Sequence, residues 1–212
     1  MGLGNKDKCL IIDRYSKRYK EHGYHHGTIG WGDWSSQKLR FDVLSEIGDL
    51  NEAEIIDVGC GFGDLYGYLS RKFQGISYTG IDLVNDLVVE GKRRYPHATF
   101  IVKDILEEDF VMEADFYFLS GTLNVKLDNN LKYTEEMIDK MFKFSRKGTA
   151  LNFLSRYVDY ELNKDFHHSP NDIFSFSKKL TKYVTIRHDY PLWEFTVYLY
   201  RENHIKNIFD IT

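Results

Sequence analysis

The stretch IIDVGCGFGDLYGYL (55–69) constrains this 212-residue chain more than any other. A β-rich run ends at Val58, glycines follow at Gly59, Gly61 and Gly63, and an amphipathic run starts at Asp64. Glycines at a strand-to-helix turn let the backbone bend tightly and let a ligand approach the main chain. A nucleotide-phosphate loop needs a lysine, and no Lys or Arg stands between Ile55 and Tyr68. A dinucleotide fingerprint has glycine at its first, third and sixth positions. The sixth, counted from Gly59, is Asp64, a carboxylate where a pyrophosphate would lie. Asp57 and Asp64 suit a cationic ligand better.

Around this turn the chain alternates β-rich runs with helical stretches, the pattern of an α/β domain on a largely parallel sheet. Candidate strands are 53–58, 77–81, 98–102, 114–119, 149–154, 182–188 and 194–200. The last two are only a hairpin loop apart (Asp189 to Trp193), which predicts an antiparallel edge strand. Leu65, Leu69 and Phe73 share a helical face, with Arg71 and Lys72 in the last turn, as the helix dipole favours. A further helix is expected over 36–47, ending at Gly48, and another after Val84, stopped by Pro96. The expectation is a single domain over 1–212, with an N-terminal helical cap (1–50) and a sheet core (51–212). The loop from Lys164 to Ser169 reads as a flexible insertion.

Composition is that of an ordinary globular domain: 28% charged, 42% hydrophobic, net charge −4. Within 6–20, however, Lys6, Lys8, Arg14, Lys17, Arg18 and Lys20 face only Asp7 and Asp13, while Ile11, Tyr15 and Tyr19 recur every four residues. That is a basic amphipathic helix, read as a surface cap in preference to a nucleic-acid contact because the rest of the chain is acidic. The apolar run before Asp13 is too short for a secretory signal, no stretch reaches membrane-spanning length, and Lys6 stands where myristoylation wants Ser or Thr. Cys9 and Cys60 form no ligand or disulfide pattern. A cytoplasmic protein without a membrane partner is expected.

Asp82 ends the next β-run, 23 residues after Gly59, where a carboxylate accepts both hydroxyls of a ribose. Asp104 and Ile105 follow the third run. There a carboxylate can accept from an exocyclic adenine amine while Leu83 and Ile105 sandwich the ring. An adenosine joined to a cation, without phosphates, is S-adenosylmethionine.

The ordered set DVGCGFG, YTGIDL, KDIL and DFYFLSG resembles the four successive motifs of the class I S-adenosylmethionine-dependent methyltransferases. The segment RYSKRYKEHGYHHGTIGWGDWSSQKLRF is similar to the leader of small stand-alone bacterial members. The resemblance implies a Rossmann-like fold with a seven-stranded, mostly parallel sheet in the order 3-2-1-4-5-7-6, an antiparallel C-terminal hairpin and helices on both faces. It also implies that Gly59, Gly61 and Gly63 line the methionyl part of the cofactor, with Asp57 tuning the loop and Cys60 between its glycines, that Asp82 binds the ribose, and that Asp104 binds the adenine, beside Leu83 and Ile105. Ser120 and Gly121 would lie beneath it. Cys60 needs only to be small there and has no redox role.

Methyl transfer from a sulfonium requires alignment, desolvation and, for a protonated acceptor, a base. Candidate bases are His25, His26, Tyr157, His167 and His168, on loops expected to overhang the acceptor. The paired histidines lack further ligands at a metal-binding spacing, so no metal is expected. SGTLN lacks the Asp/Asn-Pro-Pro-aromatic motif of members acting on amino groups of adenine or glutamine. Trp31, Trp34, Tyr190 and Trp193 are candidates for an acceptor wall or for core, and Arg40 for a cofactor-carboxylate contact or for packing. The leading expectation is a methyltransferase acting on a small-molecule acceptor. The alternatives are a non-catalytic S-adenosylmethionine-binding module, an NAD-dependent oxidoreductase, which Asp64 and the hairpin disfavour, and an RNA methyltransferase.

Overall fold

A computed structural model describes residues 3–30 and 32–203. Strands β1 (Glu54–Val58), β2 (Ser77–Asp82), β3 (Thr99–Val102), β4 (Ala114–Ser120), β5 (Ser145–Leu154), β6 (Val184–Arg187) and β7 (Glu194–Tyr200) form one sheet in the order β3-β2-β1-β4-β5-β7-β6. Neighbours from β3 to β5 are parallel, and β7 runs antiparallel to both β5 and β6. The antiparallel strand is therefore not at the edge, as the hairpin alone suggested. Every residue of β7 is buried, whereas β6 is half-exposed along its length, so the more apolar run takes the interior position.

Helices α1 (Asn5–His22), α2 (Trp34–Leu44), α3 (Asp64–Lys72), α4 (Asn85–Arg94), α5 (Asn130–Phe144) and α6 (Pro170–Leu180) complete the fold. Side chains alternate across the strands, so each central strand feeds two cores. Phe116 and Phe118 of β4 pack with Phe41 and Leu44 of α2, Leu65 and Leu69 of α3 and Val88 of α4. Tyr117 and Leu119 point the other way, toward Met137, Ile138 and Met141 of α5 and Ile173 of α6. The segment ahead of the sheet thus divides, with α2 belonging to one core layer and α1 crossing the top of the domain. Asp33 accepts from the Ser36 amide at 2.8 Å, and this cap starts α2 two residues before the position read from sequence.

The segment 164–169 is not a loose insertion. The Phe166 amide donates to the Asn124 carbonyl (2.9 Å), the His168 amide to the Leu154 carbonyl (2.8 Å) and the Arg156 amide to the His168 carbonyl (3.0 Å). These bonds stitch it between the turn after β4 and the end of β5, and backbone groups satisfied in this way resist opening.

Candidate functional site

The glycine turn lies at the C-terminal end of β1 and is built onto β2. The Gly59 and Cys60 amides donate to the Ile81 carbonyl at 2.7 and 3.1 Å, and the Gly61 amide donates to Asp82 Oδ2 at 2.9 Å. Asp82 Oδ1 accepts from the Val84 amide at 2.9 Å, so both oxygens are oriented by the main chain. Gly59 has φ +70°, and a Cβ there would stand 1.9 Å from Thr122 Oγ1 in the turn after β4. Gly59→Ala is therefore expected to force the β1 and β4 turns apart, costing about 1–3 kcal/mol in unfolding free energy. It is also expected to weaken cofactor binding, with Gly59→Ala/Thr122→Gly recovering part of both losses in a denaturation and titration series. Equal losses in the single and double variants would contradict the close-approach account.

A cleft of about 930 Å³, counting its open mouth, begins at this turn. Asp57, Gly59, Cys60, Gly61, Asp82, Leu83, Asp104, Ile105, Ser120 and Gly121 all line it. Gly63 does not. A Cβ at Gly63 would lie 2.5 Å from the Phe100 ring, and its φ is +77°, so this glycine seats the start of α3 against β3. The lining that sequence reading missed comes from Ile11 and Tyr15 of α1, Ile29, Gln37 and Phe41 of α2, Thr122, and Tyr133 and Met137 of α5. The four-residue spacing of Ile11, Tyr15 and Tyr19 signalled an apolar helix face without saying what it covers.

Carboxylates dominate the polar lining. Asp57 is buried and accepts from the Tyr78 hydroxyl at 2.5 Å; burial pushes its carboxyl up to about 7, against the lowering effect of that bond. Burial likewise raises Asp64 and Asp82 above the ordinary carboxylate range. Asp64 accepts from the Tyr24 hydroxyl at 2.8 Å and from Gln37 Nε2 at 3.4 Å. Asp104 accepts from the Leu106 amide at 3.0 Å and pairs with Lys8 Nζ of α1 at 2.9 Å. The Ser120 hydroxyl is buried on the wall with no hydrogen-bond partner among the described residues.

The pH sign of Asp57 follows from linkage. Its folded value lies above the unfolded 3.8, so the native state holds a proton that the unfolded chain has lost. The stability this proton contributes is complete below about pH 4 and is lost as pH rises through about 7. His168 works in the opposite sense: burial lowers it from 6.5 to about 4, and the stability of its neutral form is lost as pH falls through that interval. Comparing Asp57→Asn with the wild type isolates the first effect. From pH 5 to pH 8 the variant is expected to gain on the wild type by a few kcal/mol, because a proton held only by the native state contributes about 1.4 kcal/mol less for each rise of one pH unit. Parallel urea-unfolding profiles would contradict it.

α1 roofs the cleft. Ile11 and Tyr15 face into it, Lys6 pairs with Asp128 (2.8 Å), Arg14 with Asp165 (3.3 Å), and the Tyr19 hydroxyl donates to Glu90 (3.2 Å). Phe62, the side chain within the glycine turn, is fully buried under Tyr15, Tyr19, Tyr24 and Ile29.

None of the five candidate bases lines the cleft. The His25 and His26 rings lie 4.0 Å apart, tilted by 37°, outside it, and Tyr157 is 61% exposed, beside His188. His168, read from sequence as a candidate base on a loop overhanging the acceptor, is buried between Phe153 and Phe166, with Nε2 3.2 Å from the Leu123 carbonyl. His167 flanks it on the same stitched segment. Trp34 and Trp193 are exposed and belong to neither core, Tyr190 is buried against Thr196, and Trp31 lies outside the described residues. Among the described residues no group of three His, Cys, Asp or Glu side chains is placed to hold a metal ion.

The methyltransferase-domain family profile matches residues 55–148, from the glycine turn to β5. A protein of Mycobacterium tuberculosis strain H37Rv, named as a methyltransferase, is 32% identical over 153 residues, 68% of this chain and 90% of its own length. The chain belongs to the class I methyltransferases. The trans-aconitate 2-methyltransferase of Afipia carboxidovorans is 32% identical over 83 residues, and the match spans about a third of each chain (34% and 32%). In fold, the methyltransferase is similar to magnesium protoporphyrin IX methyltransferase from Synechocystis PCC 6803 with bound S-adenosylmethionine: TM-score 0.70 at 15% identity, covering 95% of this chain and 100% of that one. The pyocyanin biosynthetic protein PhzM superposes with TM-score 0.66 at 12% identity, over 89% of this chain and 62% of its own.

S-adenosylmethionine is the cofactor of this class, and the residues present fit it: acidic lining for a cation, a glycine-turn backbone that admits close approach, and an unpartnered buried hydroxyl at Ser120. Behind Ser120 and Gly121 a buried polar chain supports the methyltransferase's β4 turn. The Gly121 amide donates to Asn152 Oδ1 (2.9 Å), Asn152 Nδ2 to Glu194 Oε2 (2.8 Å), and Arg40 forks onto both Glu194 oxygens (2.5 and 2.6 Å). Arg40 thus joins α2 to β7 behind the wall of the cleft.

Proposed function

We propose that this methyltransferase modifies a small organic acceptor, with its cofactor in the cleft described above. In this reading Asp82 holds the ribose hydroxyls, Asp104 takes the adenine amine between Leu83 and Ile105, and the backbone of Gly59 to Gly61, with Cys60 and Asp57, lines the methionyl part. Ser120 and Gly121 lie beneath it. Held there, S-adenosylmethionine would supply an electrophilic methyl group to an acceptor lone pair, with S-adenosylhomocysteine as the product. The chain's own residues align the partners and exclude water, with Ile29, Phe41, Tyr133 and Met137 giving the cleft apolar walls.

The observation that carries the small-acceptor reading is the use α1 makes of its basic residues. Lys6, Lys8 and Arg14 pair with Asp128, Asp104 and Asp165 of the same chain, closing the roof of the cleft. With three of the six basic residues of this segment neutralised within the chain, less charge is available to phosphates, which weighs against the RNA reading. The relatives named by substrate agree with it, since trans-aconitate and magnesium protoporphyrin IX are small molecules. Incubation with S-adenosylmethionine and a panel of small carboxylic acids, phenols and heterocycles, with bulk RNA alongside, should release S-adenosylhomocysteine only with a small molecule. Release with RNA alone would overturn the proposal.

A further inference from the structure

A second concavity lies on the outer side of the α2–α3 layer and reaches the end of α4. It has an empty volume of about 1040 Å³ including its open side. Two kinds of side chain meet there. Trp34, 42% exposed, stacks on Tyr24 (ring centroids 5.4 Å apart, 28° between planes), and the Arg94 guanidinium lies 3.4 Å from the centre of the Tyr24 ring. Tyr68 and Tyr95 continue the aromatic lining. Lys38, Arg71, Lys72 and Arg94 supply the charge.

The charge balance inside this groove is one-sided. Lys38 and Lys72 are answered by Asp42, at 2.9 and 3.9 Å. Neither Arg71 nor Arg94 has an ion-pair partner among the described residues, and Arg94 Nε is buried without a hydrogen bond. The one carboxylate lining the groove, Asp64, accepts from Tyr24 and Gln37 and is also attracted to Arg94, which hydrogen-bonds Tyr95, so a single partly committed carboxylate faces the groove's two arginines. Guanidinium groups beside exposed aromatic faces recognise flat anions, the ring by stacking and the anion by charge-assisted hydrogen bonds.

We propose that this groove is a second ligand site, separate from the cofactor cleft, for a planar aromatic acid, with Trp34 taking the ring and Arg71 and Arg94 the anionic group. Gln37, Phe41 and Asp64 line both cavities and so form a shared wall between them. The site does not depend on the identity of the methyl acceptor.

The test is a calorimetric titration with 2-naphthoate, repeated with neutral 2-naphthamide and with inorganic phosphate, on protein with and without saturating S-adenosylhomocysteine. The expected result is saturable naphthoate binding that persists when S-adenosylhomocysteine is present, with naphthamide and phosphate each weaker by about tenfold or more, since each lacks one half of the recognition. Arg71→Gln/Arg94→Gln should lose about tenfold or more in naphthoate affinity while still binding S-adenosylhomocysteine. Asp82→Ala should do the reverse, so failure of the cofactor assignment and failure of this one are distinguishable. Naphthoate displaced by S-adenosylhomocysteine, or bound equally by the double-Gln variant, would overturn the site. An altered S-adenosylhomocysteine affinity on naphthoate binding would support the site and identify the anion as an effector; methylation of naphthoate on turnover would place it in the cofactor cleft and overturn the separate site.

Discussion

Asp82→Ala is expected to lower the affinity for S-adenosylhomocysteine by at least about tenfold, as read by calorimetry. Two losses add. The carboxylate orients the glycine turn through the Gly61 and Val84 amides, each at 2.9 Å, and a carboxylate oxygen bonded once to an amide retains a lone pair for a ribose hydroxyl. Asp82→Asn keeps the shape but only one accepting oxygen, and falls between the wild type and Asp82→Ala. A purely structural aspartate would give two variants whose binding losses track their melting temperatures. Unchanged binding in Asp82→Ala would remove the cleft as the cofactor site.

Arg40→Ala has the largest expected effect on stability, a loss of about 3–5 kcal/mol, because it leaves the Glu194 carboxylate buried without its cation. Both partners are almost completely buried, and the fork is bidentate at 2.5 and 2.6 Å. For a chain of this size each kcal/mol moves the melting temperature by roughly 2–4 °C, so the shift is readily measured. Arg40→Leu/Glu194→Gln removes both charges while the introduced amide oxygen can still accept from Asn152, and it should lose less than Arg40→Ala alone. Because Asn152 also holds the Gly121 amide, cofactor affinity should fall in Arg40→Ala more than in the double variant. A double variant no more stable than the single one would contradict the unpaired-charge argument.

The seven strands and the glycine turn were legible in the sequence because their signals are local: alternation or continuous apolar character over a few residues, and glycine where φ is positive. The position of the antiparallel strand was not legible in the hairpin spacing, which fixes pairing and not which member lies inside; the strand order implied by the family resemblance placed it correctly. Asp57, Asp82 and Asp104 could be placed because each lies at or just beyond the end of a strand that the fold brings to the same edge. Gly63 illustrates the limit of spacing: it continues the glycine pattern yet packs against Phe100, a contact 37 positions away that no motif encodes. Histidine was a poor guide to the site for a similar reason. His168 looked like loop chemistry, but tertiary bonds to Asn124, Leu154 and Arg156 draw its segment into the interior. Lys8 and Tyr15 were visible only as parts of an amphipathic helix, whose partner face, the roof of the cleft, is set by the ion pairs with Asp104, Asp128 and Asp165.

The most direct test of the site is a crystal structure of the full chain with S-adenosylhomocysteine. The account predicts the ribose hydroxyls within hydrogen-bond reach of the Asp82 carboxylate and the adenine amine on Asp104, with Ile11 and Tyr15 of α1 closing over the cleft. An adenosine bound elsewhere on the chain, with Asp82 facing only the Gly61 and Val84 amides, would contradict it.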